Sequence, residues 1–348
     1  MIVGGGGVGT MAAYNLEAGG LAETTMILRS NYDVVSRQGF RIDSCQHGEI
    51  HAWKPRGGIL AHIDRTGSIK FDYVICSTKN IPDGPGPTVA QLVKPYVTPG
   101  HTAIVLIQNG INIETPLIAA FPHNAVLSGI SLIGVIEPEP GHIVHNDADK
   151  LMVGYFPNPG LPDHATQEKA ARDFIRLYSA SAKVEASYDA DVPWTRWRKL
   201  LYNAVYNPLS ALTDSDTSRL RLSARQDQRD PSQSHNVLDH LILPAMREIQ
   251  AAARAVHQVE LPDALLESVV EADSIAEFLL PSMQQDVQKG RFVECEVILG
   301  ETVRLGEGAG VQMPVVRTLY CMCRAVQFRA KERAGLLDVK ELAAKYHE

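Results

Sequence analysis

Gly4-Gly5-Gly6-Gly7-Val8-Gly9 is the first stretch of this sequence able to do chemistry. Gly4, Gly6 and Gly9 fit G-x-G-x-x-G, between the apolar triplet Met1-Ile2-Val3 and helical apolar spacing at Met11, Ala12, Tyr14 and Leu16. Glycines there allow a tight turn and a close backbone approach to a pyrophosphate, and the helix N-terminus that follows supplies N–H donors and a positive dipole end. Strand–loop–helix context makes this a dinucleotide site rather than a flexible glycine-rich start.

The next strand narrows the choice of dinucleotide. An NAD-selective fold places Asp or Glu roughly 20 residues beyond the glycines, on the ribose 2′-hydroxyl. Here Thr25-Met26-Ile27-Leu28 is followed by Arg29-Ser30, with no acid. A guanidinium fork matches a 2′-phosphate, so the residues favour NADP; a plain surface arginine is the competing reading. Lys79, ending a strand expected over 72–79, and Asn109, following Val105-Leu106-Ile107-Gln108, stand at strand ends. Such positions point into the ligand crevice of an open α/β sheet.

A third pattern lies further on. Lys199, Asn203 and Asn207 recur at i, i+4 and i+8 in a helical stretch from Pro193 through Trp194, Trp197, Leu200, Leu201 and Val205. One continuous helix would line an ammonium and two carboxamides along one face. A solvated stripe is normally richer in Glu and Lys, and Asn is only a middling helix former, so the pair of asparagines suggests a ligand.

Short apolar runs alternate with helical spacing through residues 1–136, including 40–42 and 50–53 about a turn at His47-Gly48, 73–77, 88–97 (helix), 102–107 and 125–133. That alternation predicts a doubly wound α/β domain. From about Val192 the pattern turns helical, with helices expected over 237–257, 261–279 and 292–306 and one or two within 315–346. Residues 214–236, rich in Ser, Arg, Asp and Gln, read as an exposed loop. A division into 1–189 and 190–348 follows.

Composition bounds the function. The 348 residues are 45% hydrophobic and 21% charged, enough for two packed domains, with 33 Lys plus Arg against 40 Asp plus Glu. A net charge of −7 without a basic run predicts no nucleic-acid partner. No apolar stretch approaches the ~18 residues of a membrane span, and no charged n-region with a following apolar h-region opens the chain. Five cysteines form neither a disulfide framework nor paired zinc ligands, Cys321 and Cys323 having no second pair nearby. They point to a reducing compartment, taken as the cytoplasm, and to no metal.

The ordered set Gly4-x-Gly6-x-x-Gly9, Arg29-Ser30, Lys79, Gln108-Asn109-Gly110, Lys199-x-x-x-Asn203-x-x-x-Asn207-Pro-Leu, Ser282-Met283-x-Gln285-Asp286 and Lys289-Gly290-Arg291-x-x-Glu294 resembles the ketopantoate reductase family across nearly the whole chain. The resemblance implies an N-terminal Rossmann domain, a C-terminal all-α domain with substrate between them, and NADPH-dependent reduction of a 2-oxo acid, 2-dehydropantoate or a relative. It implies that Gly4 to Gly9 cradle the pyrophosphate, with Arg29, Ser30 and Lys79 at the 2′-phosphate end and Asn109 near the nicotinamide ribose and the substrate. It further implies that Lys199 is the catalytic acid, that Asn203, Asn207 and Ser282 hold the substrate's oxygens, and that Glu294 lies by the cofactor and the lysine. A homodimer is admissible. The alternative, a non-catalytic NADP(H)-sensing Rossmann protein, has no need of the whole set.

The chain departs from the family's usual pattern after Arg291, where Val293 and Leu299 replace Thr and Asn, and after Gly129, where a Thr-Thr-His is missing. Thr217 stands where some members carry a substrate-binding Asn. These departures bear on which acid is reduced more than on the reaction class.

Arg29→Ala should weaken NADPH far more than NADH, by about tenfold to a hundredfold for a lost charge-assisted hydrogen bond of ~1.5–3 kcal/mol. Fluorescence titration of both cofactors checks this; equal affinities in the unmodified protein would refute it.

Overall fold

The computed structural model describes residues 1–61, 69–227 and 236–346. They divide into two compact units. The first comprises Met1–Asn80, Pro87–Gln108 and Ile113–Val192; the second comprises Ile81–Gly86, Asn109–Asn112 and Pro193–Glu348.

In the first unit the strands are β1 (Ile2–Val3), β2 (Met26–Ile27), β3 (Phe40–Ser44), β4 (Gly48–Trp53), β5 (Ile59–Leu60), β6 (Tyr73–Cys76), β7 (Ala103–Leu106), β8 (Val126–Ser131), β9 (Gly134–Glu139), β10 (His142–Asp147), β11 (Lys150–Phe156) and β12 (Glu185–Tyr188). Eight of them form one sheet in the order β12-β11-β8-β7-β6-β1-β2-β5. From β5 to β8 all pairs are parallel. Within that stretch β1 is flanked by its successor β2 and by the later β6, the reversal of strand order at which open α/β sheets bind ligands. Val74, Ile75 and Cys76 of β6 and all of β7 are buried, as strands covered on both faces require. The expected doubly wound domain is therefore present, with an antiparallel addition, β11 on β8, that the sequence did not announce.

Helices α1 (Gly7–Ala18), α2 (Tyr32–Gln38), α3 (Val89–Val93), α4 (Thr115–Ala120) and α5 (His164–Tyr178) complete this unit. A second sheet, β4-β3-β10-β9, extends the β3–β4 hairpin. A buried polar network ties α1 and α5 to the segment between β10 and β11. Asp149 Oδ2 accepts from Asn15 Nδ2 at 2.7 Å and from Tyr178 Oη at 2.6 Å, while Asn15 Oδ1 meets His47 Nε2 at 2.7 Å. Burial pushes the Asp149 carboxyl pKa up, and hydrogen bonds from Tyr178 and Asn15 and the charge of His145 oppose the shift.

The second unit is helical: α6 (Val192–Asn203), α7 (Tyr206–Thr213), α8 (Thr217–Asp227), α9 (Leu243–His257), α10 (Asp263–Val270), α11 (Ser282–Gln288), α12 (Glu301–Gly308), α13 (Pro314–Arg333) and α14 (Val339–Lys345). Single π-helical turns, Leu238–Ile242 and Glu296–Gly300, lead into α9 and α12.

Four expectations need correction. The helix carrying Lys199 does not run through Val205: α6 stops at Asn203 and α7 starts at Tyr206, because Pro208 has no N–H to give the Ala204 carbonyl and its ring crowds that carbonyl. Asn207 therefore sits on a different helix from Lys199 and Asn203. The span 214–236 is not all loop, since α8 occupies 217–227; residues 228–235 lie outside the described residues. Buried Leu220 and Ala224, at i, i+4, anchor α8, Asp216 caps it by accepting from Arg219 N at 2.8 Å, and buried Arg221 pairs with Glu271. Of 261–279 only Asp263–Val270 is helical; Phe278 beyond it takes a left-handed φ of 49°. The helix expected over 292–306 begins later, at the π turn.

Tyr178→Phe should cost the first unit about 1–3 kcal/mol by leaving the buried Asp149 carboxylate one donor short. Thermal denaturation should show a melting temperature lower by a few degrees; an unchanged midpoint would mean the network adds nothing to stability.

Candidate functional site

The glycine loop is built so that one side cannot accept a side chain and the other is open. A Cβ on Gly9 would lie 1.9 Å from the Gly4 carbonyl oxygen, so only glycine lets α1 pack this closely on the end of β1. Gly4 takes φ +115°, and its carbonyl accepts from Ser77 Oγ at 3.1 Å. Gly5's carbonyl accepts from Asn31 Nδ2 at 2.7 Å and from Thr10 Oγ1 at 3.2 Å. A Cβ on Gly6, by contrast, would meet nothing within 4 Å. Helix α1 starts there with no side-chain cap and no acidic residue in its first turn, which keeps its N-terminus suited to an anion.

Arg29 and Ser30 stand exposed directly after β2, and Lys79 is exposed beyond the end of β6. Since β2 and β6 are the two neighbours of β1, the basic residues follow the strands on either side of the glycine loop. Asn31 ties the Arg29-Ser30 turn to Gly5. Its position beside Arg29-Ser30 was the only sequence signal for it. An anion-ready helix start, open space at Gly6 and nearby basic side chains fit a phosphorylated dinucleotide.

In the second unit, Lys199 and Asn203 lie one turn apart on α6. Asn203, 8% exposed, donates from Nδ2 to Asn109 Oδ1 at 3.2 Å. Asn207, on α7, reaches Ser282 Oγ at 3.5 Å; Ser282 opens α11. Glu294 is buried just ahead of the π turn. Lys199 is half-buried. Loss of water lowers its pKa to about 7, the Arg196 charge adds to the drop, and the Glu294 charge opposes it. A lysine so placed can give up and regain a proton near neutrality.

The segment carrying Asn109 is clamped from two sides. Ile111 N–H donates to the Val297 carbonyl at 3.1 Å, and Asn112 Nδ2 to Glu301 Oε1 at 2.7 Å. Gly110, at φ +107°, packs so tightly that a Cβ would fall 2.7 Å from the Val297 carbonyl oxygen. Arg196 donates from Nη1 to the Gly110 carbonyl at 3.2 Å. Spacing gave no hint of Arg196, because a buried arginine reads in sequence like any surface one. Thus Asn109 and Asn203 meet, Asn207 and Ser282 meet, and Lys199 shares its electrostatic surroundings with Glu294. Among the described residues no helix is long and apolar enough to cross a membrane, and no cluster of three or more His, Cys, Asp or Glu could hold a metal ion.

A Rossmann unit joined to a helical unit that carries a neutral-range lysine among carboxamides belongs to the NADP-dependent oxidoreductases. The family described as Ketopantoate reductase PanE/ApbA matches residues 1–158, and its C-terminal counterpart matches residues 191–327. The chain belongs to the ketopantoate reductase family. It is 34% identical to Uncharacterized protein YDL144C of Saccharomyces cerevisiae, over 99% of this chain and 98% of that one. It is 23% identical to a 2-dehydropantoate 2-reductase of Nostoc, over 97% of each. The crystal structure of 2-dehydropantoate 2-reductase from Methylococcus capsulatus superposes with a TM-score of 0.74 at 27% identity, covering 94% of this chain and 96% of that one.

Two substitutions separate the halves of the glycine loop. Gly6→Ser, with room for its side chain and a good N-cap type, should hold the melting temperature within about 2 °C yet weaken NADPH binding at least several-fold. Gly9→Ala should lower the melting temperature as well. Retained NADPH affinity in Gly6→Ser, measured by fluorescence titration, would show that the open space is not the cofactor's.

Proposed function

We propose that this protein reduces a 2-oxo acid to the 2-hydroxy acid with NADPH, the first candidate being 2-dehydropantoate, giving pantoate, or a close relative of that acid. The observation that carries the reading is Lys199 one turn from Asn203 on α6, with the Asn203 amide on Asn109 and the charges of Arg196 and Glu294 acting on the lysine, whose pKa lies near 7. NADPH, when bound, supplies the hydride. The chain's own task is then to hold the oxo acid and to meet the charge that develops on its carbonyl oxygen. Lys199 stabilises the nascent alkoxide as an ammonium and protonates it. Glu294 keeps the ammonium charged against the cost of burial. Asn109, Asn203, Asn207 and Ser282 provide donors for the carboxylate and carbonyl oxygens. The glycine loop, Arg29, Ser30 and Lys79 hold the cofactor's phosphates.

The relatives named as 2-dehydropantoate 2-reductases support that acid and, with it, a role in pantothenate biosynthesis. A cytoplasmic homodimer completes the proposal: the five cysteines are all free, as a reducing compartment would keep them, and a neighbouring structure is titled a dimeric ketopantoate reductase. A sensor of NADP(H) would have no use for a proton-donating lysine.

The test is NADPH oxidation across a panel of 2-oxo acids, 2-dehydropantoate included, with matched ketones lacking the carboxylate. The ketones should fall at least tenfold in kcat/KM, each unpaired buried donor costing about 1–3 kcal/mol; equal rates would remove the carboxylate from the reading. Lys199→Ala should lose about 10²–10⁴-fold in kcat while binding NADPH nearly as well. In the unmodified protein, reduction should be fastest below about pH 7 and decline as pH rises through the lysine's pKa and its proton is lost. A rate independent of pH from 6 to 9 would assign the proton to another group.

A further inference from the structure

Arg196 precedes Lys199 by three residues on α6, so the two side chains leave the same face of the helix. It is 4% exposed, an expensive position for a charge that a guanidinium cannot shed. Its Nη1 donates to the Gly110 carbonyl at 3.2 Å. That carbonyl belongs to the Gly110–Ile111 peptide, one residue beyond Asn109, whose Oδ1 accepts from Asn203 at 3.2 Å on the same helix. On its other side the segment is pinned by Ile111 N–H on the Val297 carbonyl. Helix α6 thus holds the Asn109–Gly110 segment at two points, the Asn109 side chain through the Asn203 amide and the Gly110 carbonyl through the charged Arg196.

We propose that Arg196 is a positioning residue of the reductase reaction, holding the Asn109–Gly110 backbone on α6 and placing a permanent cation one helical turn from Lys199. The proposal rests on the reading of Lys199 as the proton donor. Of the two neighbouring cations only lysine can respond to the repulsion, so the whole effect falls on its proton. Among the described residues the charges that act on the Lys199 pKa are Arg196 on its own helix and Glu294 ahead of the π turn, in opposite senses. Arg196 keeps Lys199 ready to release its proton, and Glu294 keeps it from doing so prematurely. Asn109, meanwhile, stays where its amide can serve the substrate.

The experiment uses the full chain and the variants R196K, R196Q and R196M, the last keeping the apolar stem if glutamine proves unfavourable to folding. Lys199 is titrated directly by its rate of reductive methylation against pH, read by peptide mass spectrometry, and KM and kcat are measured with NADPH and the best 2-oxo acid. R196Q and R196M should move the Lys199 midpoint upward by about one pH unit, the size expected for loss of a like charge one turn away. They should raise KM for the oxo acid several-fold and leave KM for NADPH nearly unchanged. R196K should share the rise in KM and move the midpoint upward by less than the neutral variants do, since a buried ammonium can shed part of its charge and lacks the planar fork. An unmoved Lys199 midpoint in the neutral variants overturns the proposal. If the unmodified protein reduces no 2-oxo acid, the reductase reading falls, and the methylation titration still decides the role of Arg196.

Discussion

Withdrawal of the Lys199 ammonium from water is the constraint around which the helical unit is arranged. An isolated buried ammonium sheds its proton, and one in bulk water holds it to about pH 10. A lysine that exchanges its proton near neutral pH has to sit between those limits. The structure gets there with opposing charges close by: Arg196 adds to the effect of burial and Glu294 resists it. Each charge needs its own support. Arg196 has the Gly110 carbonyl, and Glu294 leads into the π turn whose Val297 carbonyl holds Ile111. The 109–112 segment therefore belongs physically with the helices, although in sequence it continues from a strand of the Rossmann unit.

The Rossmann unit obeys a different rule, in which close packing and not charge sets the form. Gly9 must be glycine because α1 comes to within 1.9 Å, by Cβ position, of the Gly4 carbonyl. That approach fixes the angle at which the helix leaves β1 and aims its uncapped N-terminus. Ser77 and Asn31 then secure the loop by hydrogen-bonding to the carbonyls of Gly4 and Gly5. Carbonyls are occupied by the protein's own donors, so what the loop leaves for a ligand is N–H, the polarity a phosphate needs.

What could be read from sequence was what depends on neighbours a few residues away. The glycine loop, the buried runs of β6 and β7, the arginine after β2 and the Lys199–Asn203 pair are all local patterns, and each falls in the element expected of it. What could not be read depends on distant partners. Helix α8 looks like a solvated loop because its polar residues find partners far along the chain, Arg221 with Glu271 among them. Strand β11 pairs with β8 antiparallel, beyond the alternation that marks a parallel sheet. The break before α7 is a different kind of miss. Pro208 was visible, but the regular i, i+4, i+8 spacing of Lys199, Asn203 and Asn207 concealed its effect. The three residues are divided between two helices.

The departures from the family pattern after Arg291 can be sorted by what each residue does. Val293 is held through its backbone, its N–H donating to Gln327 Oε1 at 2.9 Å and its carbonyl accepting from Gln327 Nε2 at 3.2 Å, so this position keeps its place whatever its side chain. Its buried side chain contributes packing instead of a hydroxyl. Gly300, which is retained, has no such latitude: a Cβ there would lie 2.9 Å from the Tyr320 ring. Leu299, next to it, is fully buried and cannot offer the amide that an asparagine would. The segment thus carries apolar side chains where the family pattern has polar ones. Lys199, Glu294 and Arg196 lie outside these exchanges. The residues proposed for the proton chemistry are thus kept while the side chains of the segment after Arg291 turn apolar, so that a change in this segment's polarity does not require a change in the proposed proton donor.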